Sequence, residues 1–315
     1  MINSAKEKID IRDALFEKIY DIASQDKDVV FITADADAFS LRKYKEDLPD
    51  QFINVGVAEQ NMINVASGLA LSGKKVFIYA IIPFLVLRCY EHIKANICSM
   101  NLPITIIGLG SGLSFSNDGP THHAVQDIAV MRTLPEITIF NPCDSYSAST
   151  SAQMAYKEKK PVYIRLDKGV FPSFYNKRDD LSDGLKVIKE GADVNIISTG
   201  AMTQGAVKAA EELEKKGFSA GVIDLHRIKP VNKNLLLRVI SNSDRIVTLE
   251  ENSIVGGIGT IISEILIDNE KGISLKRIAL KDNQCFNYGT RKWLYKFYKI
   301  YEKNVVEKIL KLLKL

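Results

Sequence analysis

Residues 52–71 read FINVGVAEQNMINVASGLAL. An apolar strand enters, a glycine-containing turn follows at Asn54-Val55-Gly56, and a helix opens at Glu59-Gln60-Asn61. That helix is largely apolar, with Met62, Ile63, Val65, Ala66, Leu69 and Ala70 recurring along it. Glu59 therefore stands at or near a helix N-terminus, where the helix dipole favours a carboxylate. Simple capping would account for such a residue. The functional alternative is a carboxylate held in an apolar crevice at the carboxyl end of a sheet, where open α/β folds take their ligands.

Outward from this unit, short apolar runs alternate with amphipathic stretches. Candidate strands are 29–33, 75–80, 104–108, 138–140, 162–166, 194–198, 220–224, 245–250 and 275–280. Candidate helices cover 14–23, 60–71, 147–157, 204–216 and 259–266. Such alternation predicts an α/β protein whose sheets are mostly parallel and covered by helices on both faces. The length, 315 residues, suits two domains. Phe171 to Gly191 has little periodic apolar content but holds Pro172, the charges Lys177, Arg178, Asp179 and Asp180, and Asp183-Gly184. The expected division is a first domain over 7–175, a linker over 176–190 and a second domain over 191–315. The last 25 residues place Trp293, Leu294, Phe297, Ile300, Val305, Ile309 and Leu312 at helical spacing among lysines. They are expected to form a helix docked on the second domain with a solvated lysine face.

Composition excludes several classes. Lys+Arg number 42 against 38 Asp+Glu, and the resulting +4 is too small and dispersed to argue for nucleic acid. Apolar content of 46% with so little net charge argues against disorder. Cys89, Cys98, Cys143 and Cys285 have neither disulfide-framework nor zinc spacing, and read as free thiols in a reducing compartment. The opening MINSAKEKIDIRDAL lacks the apolar core of a secretory signal. The longest apolar run, 76–87, is too short to span a bilayer. A cytoplasmic location is the expectation.

A second stretch bears chemistry. Residues 114–123 read SFSNDGPTHH, after the strand at 104–108 and before the helical stretch at 124–132. Asp118, His122 and His123 are expected to line a loop on the sheet edge that carries Glu59. Histidine, with a pKa of about 6.5, is the side chain suited to proton transfer near neutral pH. Each residue alone has an ordinary explanation as a cap, turn or surface group.

The combination is more specific. Gly-Val-Ala-Glu-Gln-Asn, then Asp-Gly-Pro-Thr-His, Arg-x-x-Pro and Pro-Cys-Asp closely resemble the transketolase family. The second half adds VNIISTG, VIDLHRIKP, TLEEN and GGIG, which look like that family's C-terminal domain. The resemblance covers about residues 10–285, with boundaries loose by several residues. It implies thiamine diphosphate chemistry. In that family a glutamate protonates the cofactor's aminopyrimidine, the thiazolium carbon loses its proton, and the resulting ylid moves a two-carbon unit from a ketose to an aldose. Glu59 matches this glutamate, and Asp35, Phe84 and Tyr79 fall on the cofactor side. His122 matches the histidine that meets the sugar's oxygen, with His123 beside it, and Asp118 matches an aspartate reading a donor hydroxyl. Arg12 matches a phosphate arginine by its interval to Asp35. Lys168, in RLDKG, stands where a second phosphate arginine is usual.

Several departures qualify the match. The family's paired ring-stacking aromatics correspond to Ile81 and Phe84, so one ring remains, for which Tyr79 could compensate. A substrate histidine of family members corresponds to Gly110, and an arginine of 1-deoxyxylulose-5-phosphate synthases to Ser111. These changes argue for a sugar other than the ordinary pentose phosphates. The Gly-Asp-Gly that holds diphosphate and metal in complete transketolases does not occur in the sequence. The resemblance therefore implies a split transketolase: this chain is the C-terminal subunit, a partner holds the diphosphate through Mg2+ (or Ca2+), and no metal ligand lies here. The expected assembly is a two-plus-two heterotetramer on a homodimeric core. Rivals are the beta subunit of a 2-oxoacid dehydrogenase, a deoxyxylulose-phosphate-synthase-like enzyme and a non-catalytic paralogue.

Overall fold

The computed structural model describes residues 9–313. The expected start of the first domain at residue 7, and residues 314–315 at the end of the second, lie outside them. The chain divides into two compact units, one built from residues up to 111 plus 130–177, the other from 112–129 plus 178–315.

The first unit runs α1 (Ile11–Ala23), β1 (Val29–Thr33), α2 (Leu41–Asp47), β2 (Phe52–Asn54), α3 (Glu59–Leu71), β3 (Lys75–Ile81), the short α4 (Tyr90–His92) and β4 (Ile104–Leu109). After the short α5 (Asp127–Met131) it resumes with β5 (Thr138–Phe140), α6 (Ser145–Lys157) and β6 (Val162–Leu166). The strands lie side by side in the order β5-β6-β4-β3-β1-β2, and every one of these pairings is parallel. β1, β4 and β6 are buried along their whole length, which is why they read as unbroken apolar runs rather than alternating ones. α1 is capped by Asp10, whose carboxylate accepts from Arg12 N at 2.8 Å. Its face of Leu15, Phe16 and Ile19 is buried, and it packs on α6. α6 offers Ala148, Ser151, Ala152 and Ala155, small side chains that let the helices approach closely. Asp144 starts α6 with a reciprocal capping box to Ser147.

Two π-helical turns, Pro83–Leu87 and Ile93–Cys98, flank α4 after β3. The apolar pattern there gives no sign of them. Such turns are rare and concentrate at functional sites.

The second unit continues with β7 (Lys186–Lys189), β8 (Val194–Ser198), α7 (Met202–Glu214), β9 (Ala220–Asp224), the short β10 (Arg227–Lys229), α8 (Lys233–Val239) and β11 (Arg245–Ser253). It closes with α9 (Ile258–Asp268), β12 (Ser274–Leu280), α10 (Arg291–Phe297) and α11 (Glu302–Leu313). Its sheet has the order β12-β11-β8-β9-β7, parallel except for the antiparallel edge pairing of β7 with β9. β7 lies inside the expected linker 176–190. Its residues are all only half-buried, and a half-buried edge strand lacks the apolar run that marks a central one. The C-terminal stretch forms two helices rather than one, separated at Lys299, whose φ is 57°. Leu294, Ile300, Val305 and Ile309 join the core of this unit, as the spacing predicts.

Among the described residues no helix is long and apolar enough to cross a membrane. All four cysteines are buried thiols.

Candidate functional site

In the first unit the carboxyl ends of parallel strands collect the residues of interest. β2 ends at Asn54, whose Oδ1 accepts from Gly56 N at 2.9 Å and from Asp35 N at 3.1 Å. Gly56 takes φ 73°, a left-handed turn that glycine makes without steric cost. The chain then enters α3, whose N-cap, Ala58, has no side chain able to satisfy the helix end. Glu59, the first residue of α3, is only 4% exposed. A carboxylate at this position is stabilised by the helix dipole and the first-turn amides. Its Oε2 accepts a hydrogen bond from Arg88 Nη1 at 2.8 Å. The Arg88 guanidinium also lies over the Phe84 ring, with Cζ 4.6 Å from the ring centroid. Glu59, Phe84 and Arg88 thus form one cluster. It joins the loop after β2 to the π-helical turn after β3.

Asp35 follows β1 and faces Asn54, whose Nδ2 donates to Asp35 Oδ1 at 3.2 Å. Its φ of 59° places a non-glycine residue in the left-handed region, a strain that tends to mark functional positions. Asp35 therefore shares the edge of the sheet with Glu59. Tyr79 does not. It is fully buried in β3 and packs edge-on against Phe16 at 4.8 Å between centroids. Burial pushes its hydroxyl pKa well up, with the Arg12 guanidinium opposing the shift. Tyr79 is a core residue, and the ring-stacking role expected of it is withdrawn.

The backbone at Arg12 is joined to the turn that follows Lys168. Asp10 accepts from Arg12 N through Oδ1 and from Gly169 N, next to Lys168, through Oδ2 at 2.7 Å. Ile11 N donates to Gly169 O at 2.9 Å. The start of α1 and the end of β6 are thereby fixed to each other. Gly110 and Ser111 follow β4, and both backbone amides donate to Leu166 O. Ser111 Oγ is engaged with Asp167 at 2.7 Å.

Asp118, His122 and His123 fall in the segment 112–129, which groups with the second unit. Their loop is pinched shut at its base, because Gly112 and Ala124 exchange both backbone hydrogen bonds, at 3.0 and 2.8 Å. Gly112 takes φ 58°, and a Cβ there would come within 2.5 Å of the Glu251 side chain. Glu251, on β11, is the support of this loop. Its Oε1 accepts from Leu113 N at 2.7 Å and from Arg291 Nε at 2.9 Å. Its Oε2 takes the Tyr295 hydroxyl at 2.7 Å and also pairs with Arg291 Nη2. At the loop's far end Ser253 N donates to Val125 O at 2.8 Å. Within the loop, His122 is half-buried, with Nδ1 2.9 Å from Thr121 Oγ1 and its ring 5.8 Å from that of Phe115. Asp118 is exposed. His123 is buried, and burial is the main cause that lowers its imidazole pKa. Its neighbour His122 is less enclosed, and the burial of His123 fits interior packing rather than the substrate contact expected of it.

Sequence reasoning missed Arg88 and Glu251. Arg88 carried a signal, four residues after Phe84 in PFLVLR. Turning it toward Glu59 needs the π-helical turn, which the pattern does not reveal. Glu251 lies in the quoted TLEEN, but its role depends on a loop far away in the sequence. The cleft between α1 and α6, about 350 Å³ and lined by Glu17, Lys18, Asp21, Ser145 and Ser149, holds none of the candidate residues. Among the described residues no three His, Cys, Asp or Glu side chains are gathered in a way that could hold a metal ion.

Comparison with known proteins extends this picture. Residues 7–173 match the model of the transketolase pyrimidine-binding domain, and residues 183–305 that of the transketolase C-terminal domain. The chain is 34% identical over 269 residues to an apulose-4-phosphate transketolase subunit of Phocaeicola vulgatus, covering 84% of this chain and 86% of that one. It is 32% identical over 278 residues to a 6-deoxy-6-sulfo-D-fructose transketolase subunit of Clostridium sp. (strain MSTE9), covering 88% and 85%. Among solved structures, one described as a split gene transketolase, inactive beta4 tetramer, superposes with a TM-score of 0.87 at 30% identity, over 98% of this chain and 99% of that one.

Proposed function

Because this chain belongs to the transketolase family of transferases, we propose that it is the C-terminal subunit of a two-chain, thiamine-diphosphate-dependent transketolase that moves a two-carbon ketol unit from a ketose to an aldose. The observation that carries this is the cluster of Glu59, Phe84 and Arg88. A planar, cationic N–H donor is already accommodated against the buried carboxylate and the aromatic face. The residues present therefore fit an aminopyrimidine, which is also flat and presents in-plane nitrogen to a carboxylate.

When bound, thiamine diphosphate supplies a ring able to stabilise the negative charge left when a bond beside a carbonyl breaks. Glu59 Oε2 would accept a hydrogen bond from a ring nitrogen, and the N-terminus of α3 holds this buried carboxylate in place. Phe84 would offer a face to the ring. His122 would supply an imidazole nitrogen to a sugar oxygen, and Asp118 would accept a hydrogen bond from a sugar hydroxyl. Arg12 and Lys168, tied through Asp10, are the positive charges for a phosphate on the sugar. Lys168 acts there as a point charge where arginine would offer a fork. Asp35 is proposed to line the cofactor side of the sheet edge. The diphosphate and its Mg2+ are assigned to a separate subunit, with a heterotetramer as the expected assembly in the cytoplasm.

The test is reconstitution with that subunit, thiamine diphosphate and magnesium. Ketose-dependent extension of an aldose is the expected result. Decarboxylation of pyruvate in its place would move the chain to the dehydrogenase or synthase chemistry, and no turnover of either kind would refute the assignment.

A further inference from the structure

Arg88 is not among the residues to which the resemblance gave a role, and its geometry calls for one. Nη1 donates to Glu59 Oε2 at 2.8 Å while Cζ stands 4.6 Å from the Phe84 centroid. A guanidinium is planar, delocalised and cationic, carries N–H donors in its plane, and rests its face on aromatic rings. A protonated aminopyrimidine shares each of those properties. Both groups demand the same carboxylate and the same aromatic face, and Glu59 Oε2 cannot take an in-plane hydrogen bond from both along one direction.

The surroundings favour exchange. The Arg88 side chain is 46% exposed, whereas that of Glu59 is 5% exposed. The guanidinium can swing into water, but the carboxylate has nowhere else to go. Arg88 also ends the π-helical turn Pro83–Leu87, where its amide donates to Pro83 O at 3.2 Å. Without Arg88, the chain lacking its cofactor would leave the buried Glu59 carboxylate with the N-terminus of α3 alone to offset its charge.

Resting on the ring-binding reading above, we propose that Arg88 is a built-in stand-in for the pyrimidine. It keeps Glu59 paired in the unloaded chain and is displaced when the ring arrives. Arg88 thereby sets the affinity of the ring site and restricts it to flat groups that offer Glu59 an equivalent donor. A contact over an aromatic face and a half-exposed ion pair together amount to about a 5- to 30-fold competition.

The test uses the full chain and the isolated ring, 4-amino-5-hydroxymethyl-2-methylpyrimidine. This probe has no diphosphate and needs no partner subunit. Arg88→Met should bind the ring about 5- to 30-fold tighter than the wild type, the factor worked out above. Arg88→Lys, which keeps the charge but loses the plane, should fall between the two and serves if the methionine variant does not fold. In wild-type chain with 15N-labelled arginine, saturation with the ring should move the Arg88 Nε–H resonance to that of a solvated arginine. Equal or weaker binding by both variants, an unmoved Arg88 resonance on saturation, or no binding to any form would overturn the proposal. Glu59→Gln separates the two levels. If it weakens ring binding while the Arg88 variants behave as wild type, only the stand-in role falls; if it leaves ring binding unchanged, the ring-binding reading falls as well.

Discussion

Replacing Glu251 by alanine should detach the loop that carries Asp118 and His122 from its support. The side chain is 2% exposed and receives Leu113 N, Arg291 Nε and Tyr295 OH at 2.7, 2.9 and 2.7 Å, in addition to Arg291 Nη2. Hydrogen bonds to charged groups contribute about 1.5–3 kcal/mol each, and simple addition would overshoot because Arg291 and Tyr295 can turn partly to water. Removing one member of a buried pair costs about 3–5 kcal/mol, chiefly through the stranded charge. About 1–3 kcal/mol of that belongs to the Leu113 amide, which has no solvent to turn to. Glu251→Gln, which keeps an acceptor, should lose less. Trp293, the single tryptophan, lies two residues beyond Arg291 on α10 and reports unfolding of this unit by fluorescence in urea. Hydrogen exchange at Leu113 reports the loop separately. A loss below about 1 kcal/mol in the alanine variant, or unchanged protection at Leu113, would show that the loop is held by something else.

Three further outcomes are expected. Glu59→Gln should fold normally, because its amide oxygen can still accept from Arg88. It should nevertheless lower turnover of the reconstituted enzyme by about 10²- to 10⁴-fold, the usual contribution of a proton-transferring side chain, as steady-state kinetics with a ketose donor would show. His122→Ala should depress kcat/KM for sugars by about tenfold, the equivalent of one lost hydrogen bond of about 1.4 kcal/mol, without lowering the melting temperature, and unchanged kinetics would remove His122 from the site. His226, fully buried with its Nε2 2.9 Å from Leu181 O, has its pKa lowered by burial from 6.5 to about 4. The unfolded chain takes up a proton near pH 6.5 that the fold refuses. The stability tied to this group is therefore complete above pH 6.5 and drains away as pH falls toward about 4, by about 3 kcal/mol in all. Urea midpoints across that range should flatten in His226→Gln, and an identical pH slope in the variant would contradict the assignment.

Much of the framework was legible because burial on both faces leaves a plain trace. Val29–Thr33, Thr138–Phe140, Val162–Leu166, Val194–Ser198 and Ala220–Asp224 all form strands with the limits that their apolar runs predict. Harder cases had competing causes. β7 is an edge strand whose residues are half-buried, so no apolar run separates it from a linker. α2 and α8 are seven residues each, too short for a periodic pattern to stand out. The segment 112–129 sits in sequence between strands of the first sheet, yet it groups with the second unit. Its attachment depends on Glu251 and Ser253, more than 120 residues away, which no local pattern encodes. The same distinction runs through the candidate site. Glu59 was placed correctly at the start of α3 from the turn before it. Tyr79 was misjudged because an aromatic residue in a β-strand reads alike whether it lines a ligand or, as here, fills the interior beside Phe16 and Phe31.

The strand order of the first sheet accounts for how the chain departs from its family's usual substrate contacts. From β6 through β4, β3 and β1 to β2, each strand's carboxyl end delivers a different element: Lys168, then Gly110 and Ser111, then Phe84 with Arg88, then Asp35, then Glu59. Neighbouring strands stand about 4.8 Å apart, so these groups are spaced by the sheet rather than by flexible loops. The position after β4 is central, yet here it carries no charge. Gly110 adds no side chain, and the Ser111 hydroxyl is committed to Asp167. Lys168 and Arg12 lie instead at the end of β6 and the start of α1, where Asp10 joins the backbone of Arg12 to the Lys168-Gly169 turn and Arg12 Nε stands 3.8 Å from Asp13. Under the proposal that Arg12 and Lys168 anchor an anionic sugar, that anchor lies toward β6, while the position after β4 contributes no charge.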